Sequence, residues 1–126
     1  MLGEFEVLTN IAVNDLEESK KFYSDVLGLK LKGETPFGIM YTSGKEEGQI
    51  FIYKAPTAGS GKATICSWQV DDIAKVVTEL EKHEVKFEHY DFPGAKVEGH
   101  VHIMGGMKGA WFRDPSGNIL GLSQQA

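Results

Sequence analysis

Few residues in this chain stand at spacings that chemistry can use. Glu98, His100 and His102 alternate along the sequence. On a strand, residues two apart share a face. The three would then present a carboxylate and two imidazoles together, a set able to hold a divalent cation; the plainer reading is a polar loop or edge. His102 alone could transfer a proton or hydrogen-bond a ligand, since an unperturbed imidazole titrates near pKa 6.5. His83 and His89 read as surface residues. His83-Glu84 opens a zinc-protease motif, but Phe87 stands where the second histidine belongs. Gly59-Ser60-Gly61-Lys62 has part of a phosphate loop, with Pro56 in place of the leading glycine and Ala63 in place of the closing hydroxyl residue. Cys66 is the only cysteine, so no internal disulfide can form. It lies mid-strand with no histidine near in sequence, a poor setting for a nucleophile. Trp111 can stack on a planar ligand or serve as core. Arg113 can pair with its neighbour Asp114 or anchor an anion.

The elements that must position these groups are short. The 126 residues suit one domain, and 15 glycines imply many tight turns and hence many brief strands. Glu4 to Val13 reads as a strand, and Asp15 with Glu18 forms a capping signal for a helix carrying Leu16, Phe22, Tyr23, Val26 and Leu27. Gly28 is placed to stop it. Leu29 to Lys32, Phe37 to Thr42 and Gln49 to Lys54 read as three strands. Ala55 to Lys62 is a small-residue linker. Beyond it, Ala63 to Val70 is a strand, Asp71-Asp72 caps a second helix, and Lys86 to Phe92 is a strand. Pro93 to Gly99 is a loop. Strand material runs from His100 to Arg113 with a break at Gly105-Gly106, bracketed by Met104 and Met107, and Asn118 to Ser123 closes the chain. Asp114-Pro115-Ser116-Gly117 carries turn residues in order.

The second half repeats the first. An offset of 57 carries Ile11-Ala12-Val13-Asn14-Asp15-Leu16 onto Trp68-Gln69-Val70-Asp71-Asp72-Ile73. An offset of 69 carries Ile52 onto Gly121. Two strand–helix–three-strand modules follow, about 1–56 and 63–126, joined by 57–62, with a period too long for a solenoid. The net charge is −5, and Lys20-Lys21 is the only adjacent basic pair, so neither nucleic acid nor a membrane surface is an expected partner. The longest strictly apolar run is Ile50-Phe51-Ile52-Tyr53, too short for a membrane span. With no signal-like start, a soluble cytoplasmic protein is expected.

Val13-Asn14-Asp15-Leu16-Glu17-Glu18-Ser19-Lys20-Lys21-Phe22-Tyr23, continuing to Val26-Leu27-Gly28-Leu29, resembles the first module of the glyoxalase/bleomycin-resistance/dioxygenase group, the vicinal oxygen chelate superfamily. Trp111-Phe112-Arg113-Asp114-Pro115-Ser116-Gly117-Asn118-Ile119-Leu120 resembles the end of its second module. The resemblance implies an α+β fold, two βαβββ modules whose eight strands form one curled mixed sheet around a cup, in a single domain spanning 1–126 that forms a homodimer. It also implies one of several activities: metal-dependent lyase, isomerase or dioxygenase, thiol transferase, or metal-free binding of a drug.

In metal-dependent relatives the first ligand, usually His, precedes the matched valine by five residues. Here the two such positions hold Leu8 and Ile65, and the late-strand ligand positions fall near Ile50 or Ile52, with the 69 offset choosing Ile52, and at Gly121. None carries a carboxylate, imidazole or thiolate, so no metal and no other cofactor is expected. If Leu8 and Ile65 face the cup, strand parity turns Asn10, Ser67 and Gln69 the same way. Tyr41 and Tyr53 would line the cup or its rim. The expected ligand-binding set is Asn10, Tyr41, Ile52, Ser67, Gln69, His102, Trp111 and Gly121. The expected activity is binding or sequestration of a small apolar or aromatic molecule. The competing expectation is a lyase, isomerase or dioxygenase with a metal relocated to Glu98, His100 and His102, or with metal-independent acid–base chemistry at His102.

Overall fold

A computed structural model describes residues 1–125, in two compact units, Met1–Ser60 and the chain from Gly61 onward. The first contains a short 3-10 turn Leu2–Glu4, β1 (Leu8–Val13), α1 (Leu16–Lys21), a π-helical turn Phe22–Val26, β2 (Lys30–Thr35), β3 (Gly38–Ser43) and β4 (Gly48–Lys54). Its sheet runs β1-β4-β3-β2, with β1 parallel to β4 and the other pairs antiparallel. The second contains β5 (Thr64–Gln69), α2 (Ile73–Lys82), β6 (Phe87–Glu88), β7 (Lys96–Glu98), β8 (Val101–Met104), β9 (Met107–Arg113) and β10 (Ile119–Gln125). Its sheet runs β5-β10-β9-β8-β7, with β6 also on β9. Among the described residues, no helix is long and apolar enough to cross a membrane.

The single curled sheet of eight strands around a cup is not what forms. The strands divide into a four-stranded and a six-stranded sheet, and neither is curled or closed into a cup. The reason lies in the ladders. Among the described residues, β1 pairs only with β4 and β5 only with β10, so hydrogen bonding stops at both strands. Between the sheets' last and first strands the chain turns, with Ala58 N–H donating to Ala55 O at 3.2 Å and Ser60 N–H to Thr57 O at 3.2 Å. The βαβββ-like repeat survives in each unit, supplemented in the second by the short strands β6 and β7. Both were misjudged from sequence: the stretch read as one strand to Phe92 ends at Glu88, and the loop after Pro93 contains β7.

Helix starts follow the capping residues. Asp15 accepts from Glu18 N–H at 3.0 Å and Asp72 from Lys75 N–H at 3.2 Å, each satisfying a donor that the first helical turn leaves open. After α1 the helix widens into its π turn and ends at Gly28, whose φ of 73° lets Leu29 N–H reach Tyr23 O at 3.0 Å. The turn before β10 is held by Asp114, which accepts from Ser116 N–H, Asn118 N–H and Asn118 Nδ2, each at 2.9 Å.

Each sheet buries one face. In the first unit Ile11, Val13, Ile39, Tyr41, Ile50 and Ile52 are buried together with Phe22 and Tyr23 of the helical segment. Tyr41 is therefore core. Its hydroxyl hydrogen-bonds Ser24 Oγ at 2.8 Å, and burial pushes its phenol pKa up. In the second unit Ala110, Phe112, Leu120 and Leu122 lie against the Ile73, Val77 and Leu80 stripe of α2.

Candidate functional site

The opposite face of the second sheet holds the groups that could meet a ligand. Residues directly across a ladder share a face. One row across the sheet is Ser67, Gly121, Trp111 and Glu88; the next is Gln69, Ser123, Gly109 and His102. Ser67, Gln69, His102, Trp111 and Gly121, all singled out from sequence, thus occupy two adjacent rows on one side. A β-bulge at Ile65 breaks the alternation, because Thr64 and Cys66 pair with the consecutive residues Ile119 and Leu120. Parity resumes at Ser67.

Trp111 is half-buried, and its position is fixed by glycines. A Cβ at Gly109 would lie 2.9 Å from Trp111 Cη2, and one at Gly121 would lie 3.3 Å from Trp111 Cδ1 and Nε1. The indole therefore lies over both positions, close to the backbone, where any other residue would displace it. Rings flank it: Tyr90 at 5.3 Å between centroids, Phe92 at 5.6 Å and His102 at 5.1 Å, the first and last edge-to-face. Such contacts hold an aromatic surface at a fixed tilt. Tyr90 and Phe92 come from the irregular segment between β6 and β7, and sequence reasoning missed them. Gly109 was missed as well, although its place two residues before Trp111 on one strand marks it as the residue beneath the indole.

His102 is completely buried. Its Nε2 accepts from Tyr90 N–H at 3.0 Å, so the imidazole is neutral with its proton on Nδ1. Among the described residues, that Nδ1 has no hydrogen-bond partner. The trio Glu98, His100 and His102 does not assemble. Gly99, with φ 63°, makes a tight turn between β7 and β8, so Glu98 pairs with Val101 while His102 pairs with Val97, on the other face. His100 instead meets His89, Nδ1 to Nε2 at 2.7 Å, and lies 3.5 Å from Glu81. Among the described residues, no three His, Cys, Asp or Glu side chains form a metal-holding group. Arg113 pairs with Glu88 and donates to Gly117 O at 2.9 Å.

In the first unit the expected residues separate. Asn10 pairs with Phe51 on the face away from the helix, alongside Leu8 with Gln49 and Ala12 with Tyr53. Ile52 pairs with Ile11 and Ile39, is fully buried, and shares the helix-covered face with Tyr41. The ladders explain the difference. Phe51 pairs with Asn10 as Gly121 pairs with Ser67, so the two late strands correspond at an offset of 70, not 69. A one-residue slip moves every side chain to the other face.

The family model of the Glyoxalase/Bleomycin resistance protein/Dioxygenase superfamily matches residues 7–122. The chain belongs to this superfamily. It is 28% identical to the uncharacterized protein YaeR of Escherichia coli (strain K12), covering 91% of this chain and 92% of that one. Among solved structures, TnmS3, an antibiotic binding protein from Streptomyces sp. CB03234, matches with a TM-score of 0.72 at 22% identity, covering 97% of this chain and 96% of the other. Lactoylglutathione lyase from Agrobacterium tumefaciens matches with a TM-score of 0.68 at 20% identity, covering 95% and 92%. A binder and a lyase thus share the backbone, and side chains must decide between them.

The superfamily's cation positions do not suit a cation here. Leu8, Ile65 and Gly121 offer no donor side chain, and Phe51, which the ladders substitute for Ile52, offers none either. Cys66 is the nearest thiol in the second unit's β5, and burial raises its pKa. Less of it is thiolate than in a free cysteine at the same pH. Iodoacetamide at pH 8 is expected to alkylate Cys66 in the folded chain several-fold more slowly than free cysteine. Alkylation at the free-thiol rate would show that the strand does not shield it.

Proposed function

We propose that this superfamily member is a metal-free binder of a small, planar, apolar or aromatic molecule, which it sequesters on the open face of the second sheet. The observation that carries the reading is Trp111, seated over Gly109 and Gly121 and steadied by Tyr90, Phe92 and His102. Ser67, Gln69 and Ser123 add neutral hydrogen-bonding groups beside it, the usual make-up of an organic-ligand site. Covering ~200 Å² of apolar ligand surface contributes at most about 5 kcal/mol before association costs. Affinity therefore depends on the aromatic platform and on a polar contact. The proposal includes a cytoplasmic homodimer, in keeping with the exposed apolar Leu8, Ile65 and Phe92.

A thermal-shift screen of planar aromatic compounds, run beside metal analysis of the purified chain, tests this. A ligand at a hundred times its Kd adds about 2.7 kcal/mol, which raises the melting temperature by several degrees. Saturable stabilisation by planar aromatics, with metal far below one ion per chain, is expected. Stoichiometric zinc, nickel, manganese or iron required for binding would overturn the reading.

A further inference from the structure

The buried imidazole of His102 specifies the polar end of the ligand. The ring has no solvent exposure, and Tyr90 N–H takes its Nε2 lone pair, leaving a protonated Nδ1 with no acceptor. A buried donor left unpaired costs about 1–3 kcal/mol. What surrounds it is aromatic: His89, Tyr90, Phe92 and Trp111, with centroids 5.1 to 6.3 Å away. Among the described residues, none of these rings hydrogen-bonds His102 Nδ1. The donor thus sits beside the platform on which a planar molecule would stack.

Phe92, 37% exposed, lies between β6 and β7. Its turn is closed by Ala95 N–H on Phe92 O at 3.0 Å, with Gly94 at φ 79°. The Phe92 ring lies 6.0 Å from that of His102 and 5.6 Å from that of Trp111, centroid to centroid.

Resting on the binding reading above, we propose that the ligand of this site is a planar molecule bearing an sp2 oxygen, of carbonyl type, which accepts from His102 Nδ1–H while the ring system stacks on Trp111. His102 is then a specificity-determining donor. It does not act as a base, since neither nitrogen has a free lone pair.

Two probes of matched shape separate this from the binding reading: 2-acetylnaphthalene, with a carbonyl oxygen, and 2-isopropenylnaphthalene, with a methylene in its place. Isothermal titration of the whole chain is expected to give roughly tenfold tighter binding of the ketone, the value of one satisfied buried donor. The preference should vanish in His102→Phe. Equal affinity of the two probes, or a ketone preference that survives in His102→Phe, would overturn the role of His102 and leave the platform standing. Binding of neither probe would overturn both. A second measurement uses the unaltered chain, in case the variant does not fold. Imidazole 15N spectra should show Nδ1 protonated and Nε2 unprotonated in free His102, with the Nδ1–H signal moving downfield on adding the ketone and not the alkene. The opposite tautomer, or an unmoved signal under saturating ketone, would refute the proposal.

Discussion

Ile52→Glu is expected to unfold the chain, whereas Phe51→Glu, one residue earlier, is expected to leave it folded. Ile52 has no exposure and pairs with Ile11 and Ile39 under the helix. A carboxylate there would replace an isoleucine packed beside Ile11 and Ile39. A buried charge without a partner costs about 3–5 kcal/mol, and deletion of the isoleucine's packing costs about 2–5 kcal/mol more. Together these rival the ~5–15 kcal/mol that keeps a domain folded. Phe51 is partly exposed on the other face, stacked on Tyr53 at 6.2 Å, and its replacement should cost about 1–2 kcal/mol. Urea denaturation followed by circular dichroism reads both variants. Equal tolerance, or greater damage from Phe51→Glu, would mean that the strand register is wrong, and with it the correspondence of Phe51 to Gly121.

Trp111→Leu should weaken binding of 2-isopropenylnaphthalene by roughly 30-fold, the loss of about 2 kcal/mol expected of a central aromatic anchor. Leucine stays apolar over Gly109 and Gly121, so melting should change little. Trp68→Leu is the internal control. Trp68 pairs with Leu122 on the helix-covered side, so its loss should lower stability and leave affinity untouched. Unchanged affinity in Trp111→Leu would remove the platform from the account.

That several of these candidate residues share one face could be read from the sequence because strand parity is a local rule. Ser67, Gln69 and Gly121 needed only the alternation of β5 and β10, and Trp111 its place on β9. Both helix caps, Asp15 and Asp72, were legible for the same reason: a capping signal needs only a few residues. The failures were failures of long-range pairing. Nothing local reveals which strand lies opposite which. The 69 offset therefore put Ile52 where the ladders put Phe51, and Tyr41 went from the expected lining into the core. Glu98, His100 and His102 were read along one strand because a tight turn at Gly99 is invisible in simple alternation. The joined, curled sheet came from resemblance alone, and it gave way to two sheets because ladder ends depend on contacts that a motif does not encode. Tyr90 and Phe92 lie where the chain leaves β6, outside any periodic pattern, so no sequence rule pointed to them.

The central claim is that carbon, not a cation, meets the open face of the second sheet. It is tested most directly by titrating chelator-washed protein with 2-acetylnaphthalene while following the Trp111 Nε1–H and the Gly109 and Gly121 amide signals by NMR. Saturable movement of these three signals in metal-free protein is the predicted result. Signals that stay still until zinc, nickel, manganese or iron is restored would contradict it.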